Sequence, residues 1–335
     1  MPLNQMSTGS IFMAIKGINV CIYGLNRSLG VTVHSIKEKI LQPVASIADE
    51  VHFYAAFNVT VSGEFSSQRS GERSSSIGND QKDLLPNFGI QLVDQDDFDA
   101  GFDLDGVLAY GDHYQDNGGS ILNMMRALNA LQKCYNAIPL YARDSFPTIF
   151  LRPDLDIIDD IDLDFLLSLA TGSSVIVPGW QFFGGVNDRF AIAAPGKPST
   201  IYANRLGKVF QYLSLTGRSF HSENYLFDVL SLQNLRILPV VQTRFVRVRA
   251  GQSFHPETIQ QEHLQPTASA LSWSFLTNQL MTMHRRLREA GERIGALKED
   301  QAGLEQKVES LEGSLQEFKR KVKRLRIKLR NLKSC

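Results

Sequence analysis

Short apolar runs alternate with stretches of helical period along the first 250 residues. Ile18 to Gly24 reads as a buried first strand. The turn Gly24-Leu25-Asn26-Arg27-Ser28 follows, then a helix over Val31 to Pro43 with Val33, Ile36 and Ile40 on its apolar face. Val51 to Val61 and Ile90 to Val93 read as further strands. Between them, Ser62 to Pro86 is rich in Ser, Gly and charge without periodicity, the mark of a long loop. Ser120 is the expected N-cap of a helix that buries Leu122, Met125, Leu128, Ala130 and Leu131. Thr148 to Leu151 and Ser174 to Val177 read as strands, an apolar strand follows Asp188, and Val240 to Val248 reads as the last strand. Helices are expected over Asp162 to Ala170, Tyr202 to Leu213 and Glu223 to Leu230. This alternation predicts an α/β fold with a mostly parallel sheet and helices on both faces, Rossmann-like in layout.

The pattern changes after Leu271. From Leu276 to Leu332 a seam of mostly apolar residues alternates spacings of four and three, with no Pro after Pro266. Such a repeat drifts around an undistorted helix, so neighbouring helices supercoil to keep it buried. The a positions are Leu280, Leu287, Ile294, Gln301, Val308, Leu315, Val322 and Leu329, and Gln301 is the polar one that fixes register. The expectation is self-association through residues 276–332. The alternative is one long helix folded back on its own domain. The chain therefore divides into a flexible leader (1–16), a globular domain (17–251), a linker (252–270) and a coiled coil with a basic end (271–335).

Charge sharpens this division. The 335 residues hold 35 Lys+Arg and 35 Asp+Glu. From Leu271 onward there are 15 basic and 8 acidic residues, a net of +7, so the remainder holds 20 and 27, a net of −7. An acidic globular unit is a poor partner for nucleic acid. The basic run 319–333 lacks interleaved aromatics for base stacking, which leaves a solvated helix end or contact with an anionic membrane surface, at ~1 kcal/mol per basic residue. Cys21, Cys134 and Cys335 have no metal-ligand spacing, no apolar run approaches the ~18 residues of a membrane span, and no basic residue precedes an apolar stretch at the start. A soluble cytoplasmic protein, peripheral at most on a membrane, is the expectation.

Several chemistries are absent from the sequence. Gly24 and Gly30 are wrongly spaced for a dinucleotide fingerprint, Gly196-Lys197 lacks the rest of a phosphate loop, and no nucleophile elbow or His-Glu-x-x-His occurs. What remains is acid at a strand end. In Thr148 to Asp156 an apolar strand delivers Asp154 and Asp156 toward its carboxyl end, where open α/β sheets bind ligands. Two such carboxylates can hold Mg²⁺ or Mn²⁺ against a diphosphate. The pairs Asp103/Asp105 and Asp162/Asp164 share the spacing, but the first lies in an acidic loop and the second caps a helix start.

Six short motifs then stand in order: Gly24-Leu25-Asn26-Arg27 followed by Ser35-Ile36; Arg69-Ser70-Gly71-Glu72-Arg73; a helix from Ser120 through Asn123 to Arg126; Arg152-Pro153-Asp154; Asn187-Asp188-Arg189-Phe190-Ala191; and Ser222-Glu223-Asn224-Tyr225-Leu226. In this order the chain, over residues 17–250, resembles GT-A-type nucleotide-sugar glycosyltransferases, specifically their poorly characterised bacterial, viral and plant relatives. The resemblance implies a GT-A-like fold and a sugar moved from a nucleotide-sugar donor to a glycan or lipid-linked acceptor with a divalent metal ion. It implies donor contacts at Gly24, Arg27, Arg152 and Asn187. The metal would lie at Asp154 and Asp156, and catalytic roles would fall to Asp154, Asp188 and Glu223, the last as a base on the acceptor hydroxyl. His221 and Trp180 are lesser candidates, Trp180 as a sugar-stacking ring or, more simply, a core residue. On this reading Asp154 faces solvent and can be removed without harm to the fold. The rival reading is a non-catalytic glycan-binding or scaffolding module built on a degenerate transferase domain; a nucleotidyltransferase is disfavoured by the missing phosphate loop.

Overall fold

The computed structural model describes residues 15–60, 64–67, 72–76, 81–240, 243–249, 283, 287–291 and 305–331. The leader 1–14, the linker 252–270 and most of the seam 276–304 lie outside the described residues.

The first strand, β1 (Ile15–Leu25), is followed by α1 (Leu29–Ile36), a π-helical stretch Lys37–Leu41 and α2 (Gln42–Ile47), which lead into β2 (Ala48–Val59). Ile15 and Lys16, assigned to the leader from sequence, begin β1. The expected loop from Ser62 holds an antiparallel pair, β3 (Glu64–Ser67) and β4 (Glu72–Ser76), and a short α3 (Gln81–Leu84). A two-stranded ribbon is held by backbone hydrogen bonds and needs no apolar alternation, so the pattern did not reveal it. Next come β5 (Gly89–Asp94), α4 (Gln95–Gly101), α5 (Leu104–Leu108), α6 (Gly119–Asn136), α7 (Leu140–Ser145), β6 (Thr148–Leu151), β7 (Leu155–Ile157) and α8 (Leu163–Leu169). The order continues through β8 (Ser174–Pro178), β9 (Phe190–Ala193), α9 (Lys197–Ala203), a 3-10 turn Arg205–Lys208, α10 (Val209–Thr216), α11 (Ser222–Leu232), β10 (Arg236–Val240) and β11 (Phe245–Arg247). The last helix is α12 (Glu305–Asn331).

Seven strands form the main sheet in the order β10-β8-β9-β6-β1-β2-β5. β1 pairs in parallel with β2 and β6, β2 with β5, and β8 with β10, whereas β9 runs antiparallel to β6 and β8. The fold is thus α/β with a mostly parallel sheet. Alternation along β1 sorts its side chains onto two faces. Ile18, Val20 and Ile22 join a core layer with Leu29, Ile36, Ile40 and residues of α8, whereas Cys21 and Tyr23 join one built on α6, α9, α10 and α11.

Several boundaries differ from expectation: the helix expected over Tyr202 to Leu213 is the end of α9, the 3-10 turn and the start of α10, and that expected over Val31 to Pro43 runs from α1 through the π-helical stretch into α2. The helix expected from Ser120 begins at Gly119 with Gly118 as N-cap, because Asp116 supplies the cap: its carboxylate accepts from the Ser120 N–H at 3.1 Å and from the Ser120 hydroxyl at 2.6 Å. The strand expected over Val240 to Val248 is not found as such: Val240 ends β10, which was not expected over Arg236–Val240, and β11 begins at Phe245. β10 lies at the edge of the main sheet, where Pro239 is tolerated, and β11 pairs with β7 instead. Asp162 does cap α8, accepting from the Phe165 N–H at 3.1 Å.

Along α12, Leu315, Phe318, Val322 and Leu325 are half-buried while most of their neighbours are exposed, the period expected of the seam. Val322 and Leu325 pack against the core layer that contains Ile18 and Leu29. At these two positions the seam meets the chain's own domain, as in the fold-back alternative. Among the described residues no helix is long and apolar enough to cross a membrane.

Candidate functional site

Open parallel sheets bind ligands where neighbouring strands leave in opposite directions along the sheet. Here that point falls between β1 and β6, since β1 connects to β2 on one side and pairs with β6 on the other. β1 delivers Tyr23, Gly24 and Leu25 to the crevice. Gly24 has φ of +115°, a conformation that a side chain rarely adopts, and this lets the chain turn sharply and set Arg27 over the end of β6. β6 ends at Leu151 and releases Arg152-Pro153-Asp154 into the same crevice. The antiparallel course of β9 brings its entry residues Asp188 and Arg189 alongside, because Phe190 pairs with Leu151.

The result is a cleft of about 320 Å³ lined by six arginines, Arg27, Arg126, Arg152, Arg205, Arg247 and Arg249. Among the described residues, three carboxylates stand beside them. Asp99 pairs with Arg126, Asp188 lies in the lining, and Asp154 lies behind Arg27 and Arg152. Among the described lining residues arginines outnumber carboxylates, inside a domain whose own sequence is acidic.

Asp154 is 1% exposed. Its Oδ1 accepts from Arg152 Nε at 2.9 Å, and its Oδ2 accepts from Arg152 at 2.7 Å and from Arg27 at 2.6 Å. Burial by itself would raise the Asp154 carboxyl; the charges of Arg152 and Arg27, with Arg247 further off, outweigh it and hold the group well below the usual carboxylate range. Its backbone carbonyl accepts from the Val248 N–H at 2.9 Å, which ties the turn to the chain at the end of β11, between Arg247 and Arg249.

A second cavity of about 510 Å³ adjoins the first and shares Met124, Arg152, Asp188, Ser222 and Arg247 with it. Its wall is aromatic: His113, Tyr114, His221 and Phe183. His113 and His221 meet edge to face at 4.5 Å between centroids, and Tyr114 stacks over His221 at 6.0 Å. Phe183 is 40% exposed and held at φ of +44°. Non-glycine residues in that region are strained, and such strain gathers at functional sites. Asp188 stands at the junction of the cavities. Its carboxylate accepts from the Ser222 hydroxyl, and its carbonyl accepts from Tyr23 at 3.2 Å and Tyr202 at 3.4 Å. Burial pushes its carboxyl up, but Arg189, the Ser222 hydroxyl, Arg152 and Arg205 bring it below the ordinary value, so it stays ionised.

The residues expected from sequence divide accordingly. Gly24, Arg27, Arg152 and Asp188 line the cleft, and Glu223 lines the second cavity with its Oε2 3.6 Å from His221 Nδ1. Asn187 lines neither. Its amide donates to the Trp180 carbonyl at 3.0 Å and accepts from the Arg189 N–H at 3.1 Å, so it braces the loop rather than facing a donor. Trp180 is a core residue, fully buried against Phe245. Asp156 sits in the middle of β7 opposite Val246 and lines neither cavity.

The expectation that Asp154 and Asp156 hold Mg²⁺ or Mn²⁺ does not fit these residues, and neither does a solvent-facing Asp154. A hard cation needs carboxylate oxygens turned toward it. Both oxygens of Asp154 are turned toward guanidinium groups, and a cation beside them would be repelled by Arg27 and Arg152. Sequence reasoning also missed Arg205 and Arg247. Arg247 had a signal: in Phe245-Val246-Arg247-Val248-Arg249, strict alternation puts both arginines on one face. Arg205 had none, being a fully buried cation stacked 4.3 Å from the Tyr202 ring centroid.

The chain matches no family model and no curated protein.

Proposed function

We propose that the chain is a nucleotide-sugar-dependent glycosyltransferase, with the donor diphosphate in the arginine-lined cleft and the acceptor glycan in the aromatic-walled cavity beside it. The observation that carries this reading is the meeting of the two cavities at Asp188 and Ser222, at the switch point of the sheet. Arginine suits the donor half because its fork of N–H groups matches phosphate oxygens. Aromatic faces suit the other half because the C–H faces of a sugar ring stack on them.

In the reaction an acceptor hydroxyl attacks the anomeric carbon. A carbon–oxygen bond forms there, the bond to the phosphate oxygen breaks, and its electron pair leaves with the diphosphate. Glu223 accepts the hydroxyl proton, and the guanidinium groups hold the charge gathering on the leaving group. Asp188, kept ionised, orients Ser222 between donor and acceptor.

A thermal-shift panel of nucleoside diphosphates and their sugars tests this. At saturation near 100 times the dissociation constant, binding adds about 2.7 kcal/mol to stability. Glu223→Gln is expected to retain donor binding and to slow transfer by about 10²–10⁴-fold. Stabilisation by glycans with none by any nucleotide would instead favour the non-catalytic glycan-binding reading.

Self-association through residues 276–332 belongs to the same proposal. The full chain is expected to sediment as an oligomer at micromolar concentration. A monomer would assign the seam to the packing of Val322 and Leu325 on their own domain.

A further inference from the structure

We infer that the cleft neutralises a diphosphate with arginines in place of a divalent cation, and that Asp154 is the strut holding two of those arginines in position. The inference rests on the donor reading above and departs from the metal-assisted chemistry expected of the sequence.

The geometry carries it in three steps. First, the carboxylate that would have been the best metal ligand is 1% exposed and receives three guanidinium hydrogen bonds, two from Arg152 and one from Arg27. A carboxylate so engaged has its charge matched by two guanidinium groups, which repel a cation placed beside it. Second, the arginine side chains it holds differ in exposure. Arg27 is 6% exposed and Arg152 26%, and both line the cleft, so Asp154 sits behind them and their remaining N–H groups border the space a ligand would fill. Third, the lining suits an anion. Among the described residues six arginines line the cleft, and the only carboxylate in the lining is Asp188. Their guanidinium forks match the oxygens of a diphosphate, which carries roughly −1.5 to −2 per terminal phosphate group near pH 7.

The consequence for the reaction is specific. As the bond from the anomeric carbon to the phosphate oxygen breaks, the electron pair moves onto the diphosphate, and fixed guanidinium groups already face it. No ion has to enter with the donor or leave with the product. Asp154 touches no reacting atom on this reading; it is a positioning residue whose effect passes through Arg27 and Arg152.

Isothermal titration of the full chain with UDP, GDP, ADP and CDP decides it, each run once in EDTA and once in millimolar Mn²⁺ or Mg²⁺. The expected result is one nucleoside diphosphate whose dissociation constant changes by less than about twofold between the two buffers, a difference well under 1 kcal/mol. Arg247→Gln, which breaks none of the three bonds to Asp154, is expected to weaken that binding by about tenfold to hundredfold in both buffers, the size of a lost hydrogen bond between charged partners. Binding that appears only with the metal overturns the inference and leaves the donor reading standing. An Arg247→Gln chain that binds as tightly as the wild type in EDTA overturns it as well. No binding of any of the four in either buffer removes the donor reading, and this inference with it.

Discussion

Asp154→Asn is expected to lower the stability of the globular domain by about 3–5 kcal/mol, because it removes one partner of a buried ion pair and leaves two guanidinium groups facing a neutral amide. For a unit of this size that is a fall in the unfolding midpoint of roughly 10 °C. The pH dependence has a definite sign. The carboxyl is held well below its ordinary value in the folded chain, so the ion-pair contribution is fully present above about pH 4, near the unfolded value. It drains away as the pH falls from there toward the depressed folded value. The wild type should therefore lose stability on acidification more steeply than the variant, and the two curves should approach each other at low pH. Thermal melts from pH 7 down to pH 3 measure both. An unchanged midpoint at pH 7 would mean that the Asp154 carboxylate is not committed to Arg27 and Arg152.

Gly185→Ala has the second large expected effect. A Cβ at this position would lie 2.0 Å from the Glu223 carbonyl oxygen and 2.4 Å from the Asn224 nitrogen, and both are backbone atoms that cannot swing aside. The loop from Trp180 and the start of α11 must therefore move apart. The Val186 N–H bond to the Glu223 carbonyl, 3.1 Å long, stretches with them. Crowding of this kind costs about 1–3 kcal/mol, and loss of the hydrogen bond about 1 kcal/mol more. The same movement shifts Ser222 away from Asp188, so on the proposed transferase reading transfer should fall even where the chain remains folded. Gly101→Ala is the matched control: no atom lies within 4 Å of its Cβ, and its melt should be unchanged within a few tenths of a kcal/mol or slightly higher. Equal melts for the two variants would show that the close approach of the loop to α11 is not maintained in solution.

The sheet was legible wherever a strand is buried on both faces. Thr148–Leu151 stands out because four buried residues are bounded by Pro147 and by Arg152-Pro153. β1 stands out for the same reason. β10 was hidden because Arg236 and Pro239 argue against a strand interior, and the edge position that tolerates them is a property of the assembled sheet. The site shows the same division. Local pattern placed Arg27, Arg152 and Asp154 near strand ends, and the structure brings all three together. It gave the wrong surroundings for Asp154, since Arg27 approaches it from 127 residues away and no local period reports such a neighbour. The spacing of Asp154 and Asp156 suggested one shared face. In the fold Asp154 falls in a turn and Asp156 in another strand, so the period of two does not apply across them.

The reversed course of β9 has a consequence for how the molecule could change its specificity. β8 and β9 are consecutive and antiparallel, so the segment from Gly179 to Arg189 is a long hairpin return at the ligand edge of the sheet. Both of its ends are anchored in buried strands, and its middle carries the exposed Phe183. An insertion or exchange near Phe183 would remodel one wall of the second cavity without altering a pairing in the main sheet. The tolerance is confined to the exposed tip, since Trp180, Gln181, Phe182, Val186 and Asn187 of the same return are buried and Gly185 lies against the backbone of α11. Phe183 is thus the position of this return where a change would alter what the second cavity accepts while the buried residues around it stay in place.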